Sequence, residues 1–448
     1  MGRNIRISQC MIVKNEEKNI ERALSWGRDV VWEQIVVDTG STDHTVEIAK
    51  RMGARLFHFD WIDDFAAAKN YAIEKAGGDW IAFLDADEYL SEEDAKKLPL
   101  LLNELSGREY NALIARWVQT DGTETFLAGP PGKGIQSLRT VKADGSLGSA
   151  VAGTVVRIFR NQPGLLYRGR VHEQLFMENG EVRCFDAGDA LSVLHTGYGA
   201  EEMEEKKKTE RNIRLLLAEL ERHPEDHKLL AHMGASYYQQ KKYEEAAEWY
   251  EKAADCMPEL PEEESAQDVS VFRNLMLLYA RMNREDLLRK AYASGIRRFP
   301  EEVDYDYLAG RYYIGEKRFG EAAAHLQRAV GLLERRGDGR TPALLANGLP
   351  EALEMLAVCH YENGDRKSCV NCAVVLLRAS PYRGRALEVL LKAFRDDERE
   401  NREKAASAGQ VLAFLGNLYD LEEPEQRRFV LRAAETAGYE ALLKEAAP

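Results

Sequence analysis

The chain is poor in cysteine, in basic charge and in long apolar runs, and each shortage excludes something. Its six cysteines, Cys10, Cys184, Cys256, Cys359, Cys369 and Cys372, are scattered over 448 residues. That spread excludes a disulfide framework and fits a reducing compartment. Cys369 and Cys372 form a C-x-x-C, but no second pair stands near them. In a helical stretch that spacing only puts two small apolar side chains on one face. Lys and Arg number 61 against 75 acidic residues, a formal net charge of -14. Nucleic acid and anionic membranes are thereby excluded as main partners, because a phosphate backbone demands a basic surface. No window approaches the ~18 apolar residues of a spanning helix, and the apolar run in "MGRNIRISQCMIVKNEE" is too short for a signal peptide. A cytoplasmic chain without a membrane span is expected.

Hydrophobic residues make up 45% of the chain, enough to build two or three folded domains at this length. Residues 1–198 alternate short β-rich runs with helical stretches: "IRISQCMIV", "EKNIERALSWG", "EQIVVDTG", "DHTVEIAKRMG", "RLFHF", "FAAAKNYAIEKA", "WIAFLDAD". This order predicts an α/β domain with a mostly parallel, Rossmann-like sheet. A charged helix over 199–224 then leads to residues 225–448, where strand signals vanish and the text repeats. Gly234, Tyr237, Ala246, Tyr250, Ala253 and Pro258 fall at the positions of a tetratricopeptide unit, with Pro224 one period of about 34 residues earlier. Weaker copies follow through Phe272 to Pro300, Gly310 to Ala329 and Leu353 to Pro381. An all-α repeat domain is expected, with "ERRGDGRTPALLANGLP" as a loop inserted between repeats.

Ligands of such sheets bind outside the carboxyl ends of the strands, so the residues after each apolar run carry the chemistry. After "MIV" comes the polar cluster Lys14, Asn15, Glu16 and Glu17, where backbone groups of Ile12 and Val13 are placed to frame a base. In "VVDTGSTDHT" the strand stops at Asp38, either an acceptor for a base or ribose or the organiser of a turn; Ser41, Thr42 and Asp43 read as helix caps. The third strand end, in "IAFLDADEYL", crowds Asp85, Asp87 and Glu88, with Asp79 before the run. Such crowding requires a positive partner. A hard divalent cation with oxygen ligands, open to substrate phosphates, relieves the repulsion between Asp85 and Asp87.

"MIVKNEE", "VVDTGSTDHT", "AAAKNYA" and "FLDADEYL", in this order over about ninety residues, resemble the N-terminal half of a family 2 glycosyltransferase of GT-A fold. The resemblance implies a nucleotide-sugar donor, usually a uridine one, with Asp38 on the uracil or ribose. It places Asp85 on ribose and metal, with Ala86 beside it on the donor side, and Asp87 on Mn2+ or Mg2+ at the diphosphate. Lys69 and Asn70 stand where the family often has Arg-Asn, which puts Lys69 near the base or a phosphate. In "VVRIFRNQPGLLYRGRVHEQL" the His172-Glu173 pair resembles the family's acidic catalytic motif. Glu173 is implied as the general base that deprotonates the acceptor, and His172 as its neighbour; the alternative is that Glu173 only pairs with Arg168 or Arg170. His195, after "LSVL", corresponds to a C-terminal metal-binding His, the alternative being a structural role.

The implied reaction is inverting transfer of a hexosyl group by direct displacement. A GT-A domain followed by tetratricopeptide-like helices is similar to bacterial peptide S- and O-glycosyltransferases, which implies a peptide or protein acceptor held by the repeats. A surface-glycan acceptor is the alternative, and the repeats equally suit homodimerisation. Two other classes compete. A sugar nucleotidyltransferase needs a Gly-rich basic loop after the first strand, which "MIVKNEE" lacks. A repeat scaffold with a vestigial nucleotide-binding domain would have no use for the set Asp38, Asp85, Asp87 and Glu173. The Gly- and Pro-rich stretch over 121–153 reads as a long loop on the acceptor side, a lid.

Overall fold

The computed structural model describes residues 5–119, 125–126, 139–141, 147–149, 152–196, 202–259, 265–336, 344–401 and 404–446. The chain divides into two compact units, Met1–Lys242 and Tyr243–Pro448.

The first unit opens with β1 (Ile7–Val13), α1 (Ile20–Ser25), β2 (Glu33–Asp38), α2 (Thr45–Arg51), β3 (Arg55–His58), α3 (Phe65–Glu74) and β4 (Trp80–Phe83). These strands run parallel in the order β3-β2-β1-β4. Continuous apolar runs suit strands covered on both faces, and Cys10, Met11, Ile35, Val36, Val37 and Trp80 to Leu84 are almost wholly buried. Polar residues inside β1 find partners: Ser8 Oγ donates to Glu33 at 2.7 Å and Gln9 Nε2 to the Ala23 carbonyl at 2.7 Å. The register pairs Val13 with Asp38 and Cys10 with Phe83, so the carboxyl ends of three strands share one edge.

Next come β5 (Glu88–Leu90), α4 (Glu92–Leu105) and β6 (Ala112–Gln119). The short β7 (Thr125–Phe126), β8 (Arg139–Val141) and β9 (Leu147–Ser149) form a separate sheet; the rest of the expected 121–153 lid lies outside the described residues, save the start of the next strand. That strand, β10 (Ala152–Arg160), lies antiparallel between β4 and β6, with a bulge between Val156 and Ile158. Then follow β11 (Leu165–Arg168), its hairpin partner β12 (Gln174–Met177), β13 (Cys184–Asp186) and β14 (Ser192–His195). The last of these joins β6 to β5. The sheet is therefore a mixed GT-A-like one, mostly parallel as expected, since β13 and β14 also run parallel to β6 and only β10 and β5 run antiparallel to their neighbours. Two helices close the unit, α5 (Glu202–Leu220) and α6 (His227–Gln239).

The second unit is helical throughout its described residues: α7 (Tyr243–Cys256), α8 (Ala266–Arg281), α9 (Glu285–Arg298), α10 (Val303–Gly315), α11 (Phe319–Arg336), α12 (Leu344–Glu362), α13 (Arg366–Ala379), α14 (Gly384–Glu400), α15 (Ala408–Leu415), α16 (Pro424–Ala437) and α17 (Glu440–Glu445). Small residues bring the helices together, as repeats require. A Cβ on Gly310 of α10 would lie 2.6 Å from Leu326 of α11. The expected loop "ERRGDGRTPALLANGLP" is shorter than its composition predicts, because α11 runs to Arg336 and α12 starts at Leu344. The buried Asp304 carboxylate caps that start, accepting from the Leu344 and Leu345 amides at 2.8 and 2.9 Å. Gly348 serves close packing and not a turn: a Cβ there would meet the Tyr307 hydroxyl at 2.7 Å. Among the described residues no helix is long and apolar enough to cross a membrane.

Candidate active site

The loops after β1 and β2 are stitched to each other. Asn15, in the left-handed region at φ 58°, donates its N–H to Ser41 Oγ at 2.9 Å and accepts from the Thr42 amide at 2.7 Å. The Glu16 amide donates to Thr45 Oγ1 at 2.7 Å, and the Val13 carbonyl accepts from the Thr39 amide at 2.9 Å. Burial raises the Glu16 carboxyl above the usual range, against a hydrogen bond from Asn19. Asp38, only 6% exposed, accepts from the amides of Gly40 at 3.2 Å and Ser41 at 3.0 Å. In this structure it organises the turn, while Ile12, Val13, Asn15 and Glu16 line the adjacent strand end. Ala86 is buried in the core with Met11, Val13 and Ile20.

The positive partner for the acids after β4 comes from the chain itself. Arg157 Nη2 lies 2.6 Å from Asp85, and its Nε lies 2.8 Å from Glu88. Glu88, 1% exposed, also accepts from Trp117 Nε1 at 3.1 Å and from the Asp85 amide at 3.0 Å. Lys69, 2% exposed on α3, sits 2.6 Å from Glu173 Oε1 and 3.5 Å from Asp85 Oδ1. The rings of Phe83 and Tyr167 flank its ammonium at 5.1 Å each. Burial opposes that charge, but the Asp85 and Glu173 carboxylates outweigh it and hold Lys69 protonated well above the usual lysine range. Lost solvation likewise opposes ionisation of Asp85, yet the Arg157 guanidinium and then the Lys69 ammonium bring its carboxyl down to about 2. Asp79 stands apart from this group and accepts from the Arg6 amide at 2.9 Å.

Asp87 and His195, distant in sequence, meet across β5 and β14, with His195 Nε2 3.2 Å from Asp87 Oδ2. The His195 ring lies over Trp117, centroids 4.6 Å apart, and Thr196 donates its amide to the Asp87 carbonyl at 3.0 Å. An oxygen and a nitrogen donor at this separation fit Mn2+ or Mg2+, which leave their other positions to phosphates and water. Among the described residues no group of three or more His, Cys, Asp or Glu side chains is gathered as a metal site. The donor set is therefore a pair, with Asp85 two residues before Asp87 and already paired with Arg157 and Lys69.

Glu173 arrives from the turn after β11. Gly169 at φ 100° and His172 at φ 54° bend the chain there, and Phe65 at the start of α3 donates its amide to the Arg170 carbonyl at 2.9 Å. Neither of the pairings weighed for Glu173 forms: Arg170 lies 3.0 Å from Glu219, and Arg168 stacks over Phe176. Lys69 takes their place. The His172 ring stacks on His232 of α6, with centroids 3.8 Å apart and planes 3° from parallel.

Arg157, Trp117 and His232 are the site residues that sequence reasoning missed. A charged residue inside the apolar run "VVRIF" was the available signal for Arg157, because a buried guanidinium needs an acid. The bulge hid it: one extra residue breaks the two-residue alternation and re-aims the side chain. Nothing in the sequence marks His232.

Comparison with known proteins agrees with this geometry. Residues 8–153 match the model described as glycosyl transferase family 2, and residues 227–260 and 289–339 match tetratricopeptide repeat models. The chain is 31% identical over 250 residues to a TPR repeat-containing protein of Synechococcus elongatus, covering 54% of this chain and 55% of that one. It is 29% identical over 301 residues to the SPbeta prophage-derived glycosyltransferase SunS of Bacillus subtilis, covering 66% and 64%. Against these relatives the chain thus spans between about half and two thirds of their length. Among solved structures, glucosyl-3-phosphoglycerate synthase of Mycobacterium tuberculosis, crystallised with Mn2+, uridine diphosphate and glucosyl-3-phosphoglycerate, is 25% identical over 26% of this chain and 45% of its own, with a TM-score of 0.22. The chain carries an N-terminal family 2 glycosyltransferase domain followed by C-terminal tetratricopeptide-like repeats.

Proposed function

We propose that the protein is an inverting, metal-dependent glycosyltransferase that moves a hexosyl group from a uridine diphosphate sugar to a peptide or protein side chain. The observation that carries this reading is the single buried ammonium of Lys69, which joins Asp85 at the end of β4 to Glu173. Direct displacement needs two groups on opposite sides of the transferred sugar, one at the leaving diphosphate and one at the incoming nucleophile. Asp85 with Asp87 stands on the diphosphate side, at the strand edge where such sheets bind ligands. Glu173, 2.6 Å from the Lys69 ammonium, is the group that would accept the proton of the acceptor, a role worth about 10²–10⁴-fold in rate. The stitched loops of Asn15, Glu16 and Asp38 would hold the uracil and ribose, and the backbone of Ile12, Val13 and Ala86 their rim. Mn2+ or Mg2+, held by Asp87 and His195, would neutralise the negative charge of the diphosphate. The repeats suit a peptide, because stacked helix pairs present extended surfaces.

Calorimetry with uridine diphosphate and Mn2+ tests the donor side. Binding is expected for the unaltered protein and for Glu173→Gln, and is expected to be lost in Asp87→Ala. Unchanged affinity in Asp87→Ala would sink the metal assignment. Glu173→Gln is expected to lose about 10²-fold or more of transfer, and full transfer by that variant would remove Glu173 as base.

A further inference from the structure

We propose that His232 of α6 is a positioning residue for Glu173: its ring stacks on His172 and locks the turn that presents the carboxylate to Lys69. The proposal rests on the reading of Glu173 as general base.

The turn is an improbable conformation that its surroundings must hold. Within four residues it places Gly169 at φ 100° and His172 at φ 54°. Glycine adopts such torsions freely, but a histidine there is strained and persists only where contacts determine it. Arg170 and Val171 are anchored separately. The Arg170 carbonyl accepts from the Phe65 amide, the Arg170 guanidinium pairs with Glu219 of α5, and Val171 is 5% exposed. These contacts fix the first half of the turn, the Arg168–Gln174 ladder pair closes its far end, and His172 lies between the two with its ring on His232. His172 is exposed apart from the face that His232 covers, at 3.8 Å and 3° from parallel. Rotation of His172 out of the left-handed region would swing the next residue, Glu173, away from the Lys69 ammonium now 2.6 Å from it. The stack is chemically consistent, since loss of water around the facing rings lowers both imidazoles and the neighbouring His172 adds to the effect at His232, down to about 3. Two neutral rings stack without charge repulsion.

His232 lies within residues 227–260, the first segment that matches a tetratricopeptide repeat. The opening helix of the repeats is therefore a working part of the transferase site and not only a platform for acceptors.

The test uses the full chain and the variants His232→Leu, His232→Phe and His172→Ala. His232→Leu is expected to lower kcat about 10- to 10²-fold, the effect of misplacing a reacting group by about 1 Å. KM for the nucleotide sugar and the affinity for uridine diphosphate should stay within about twofold. His232→Phe, which keeps a flat ring over His172, should recover most of kcat, whereas His172→Ala removes the stack from its exposed side and should match His232→Leu. Wild-type kcat in His232→Leu, or equal losses in His232→Phe and His232→Leu, would overturn the proposal. A crystal structure of His232→Leu decides it without turnover. The expected result is His172 outside the left-handed region and the Glu173–Lys69 contact opened; an unchanged turn overturns the inference. If the unaltered protein transfers sugar from no nucleotide sugar, or Glu173→Gln transfers at full rate, the reading of the base fails, and the crystallographic arm still decides the positioning role.

Discussion

Arg157 holds two carboxylates at once, Asp85 at 2.6 Å and Glu88 at 2.8 Å, from a side chain that is itself 18% exposed. Removing one partner of a buried ion pair leaves an uncompensated charge, a loss of about 3–5 kcal/mol. Glu88 is the group that would suffer, because its side chain is 2% exposed whereas that of Asp85 is 38% exposed. Arg157→Met should therefore lower stability in urea denaturation at pH 7 by an amount of that order, and a variant as stable as the parent would contradict the pairing. Acid adds an independent signature. The folded carboxyl of Asp85 sits at about 2, below the ~3.9 of an unfolded aspartate, so its contribution is complete above about pH 4 and is lost as pH falls through about 2. The stability of Arg157→Met should fall less steeply than that of the parent between pH 4 and pH 2. Only part of this residue-level chemistry was legible in the sequence. The acids after β4 announced a need for positive charge, and the divalent ion they called for is proposed at the Asp87–His195 pair. That Arg157 and Lys69 already neutralise Asp85, Glu88 and Glu173 was hidden, because a bulge and a helix face deliver the cations from positions about 72 and 16 residues away in sequence.

At the scale of elements, the site is assembled from ends and irregularities more than from regular structure. The stitched loops after β1 and β2, the bulge in β10 and the turn after β11 each break a period, and each aims a functional side chain. Gly169 tests this most directly. A Cβ there would meet only ordinary contacts, 3.5 Å from the Glu173 Cα and from the Val171 carbonyl, so the obstacle to alanine is its φ of 100° and not space. Gly169→Ala should cost more than about 1 kcal/mol of stability, the scale for alanine at a positive torsion. Its transfer rate should fall further than the stability loss explains, because relaxation of the strain displaces Glu173. A thermal melt beside kcat separates the two effects, and a variant that melts early but turns over normally would place the turn outside the chemistry. The same distinction explains what was legible among the helices. Spaced small and aromatic residues such as Gly234, Ala246, Tyr250 and Ala253 declare the repeat, because they are the packing itself. Glycine and proline between α11 and α12 suggested a longer loop, since composition does not say that Gly348 is small to admit Tyr307.

At the scale of the molecule, the first compact unit ends later than the change in composition. Strand signals end near residue 198, but α5 and α6 belong to the compact unit Met1–Lys242, with Leu215, Leu216, Leu230 and Met233 all at most 4% exposed. Each fully buried side chain of that size contributes about 1.5–3 kcal/mol. The two helices also supply Glu219 to Arg170 and the His232 ring to His172. Sequence pattern reports what a segment is made of, whereas the site depends on what it packs against, and α6 has the pattern of a repeat while it buttresses the transferase. Two fragments separate these descriptions. Residues 1–242 should unfold cooperatively and match the affinity of the full chain for uridine diphosphate with Mn2+ in calorimetry. Residues 1–200, which keep the strand-end acids and Glu173 but lose both helices, should melt at a lower temperature and turn over donor more slowly. Equal melting temperatures and equal donor turnover for the two fragments would show that α5 and α6 contribute nothing to the transferase unit, and the composition boundary would then be the physical one.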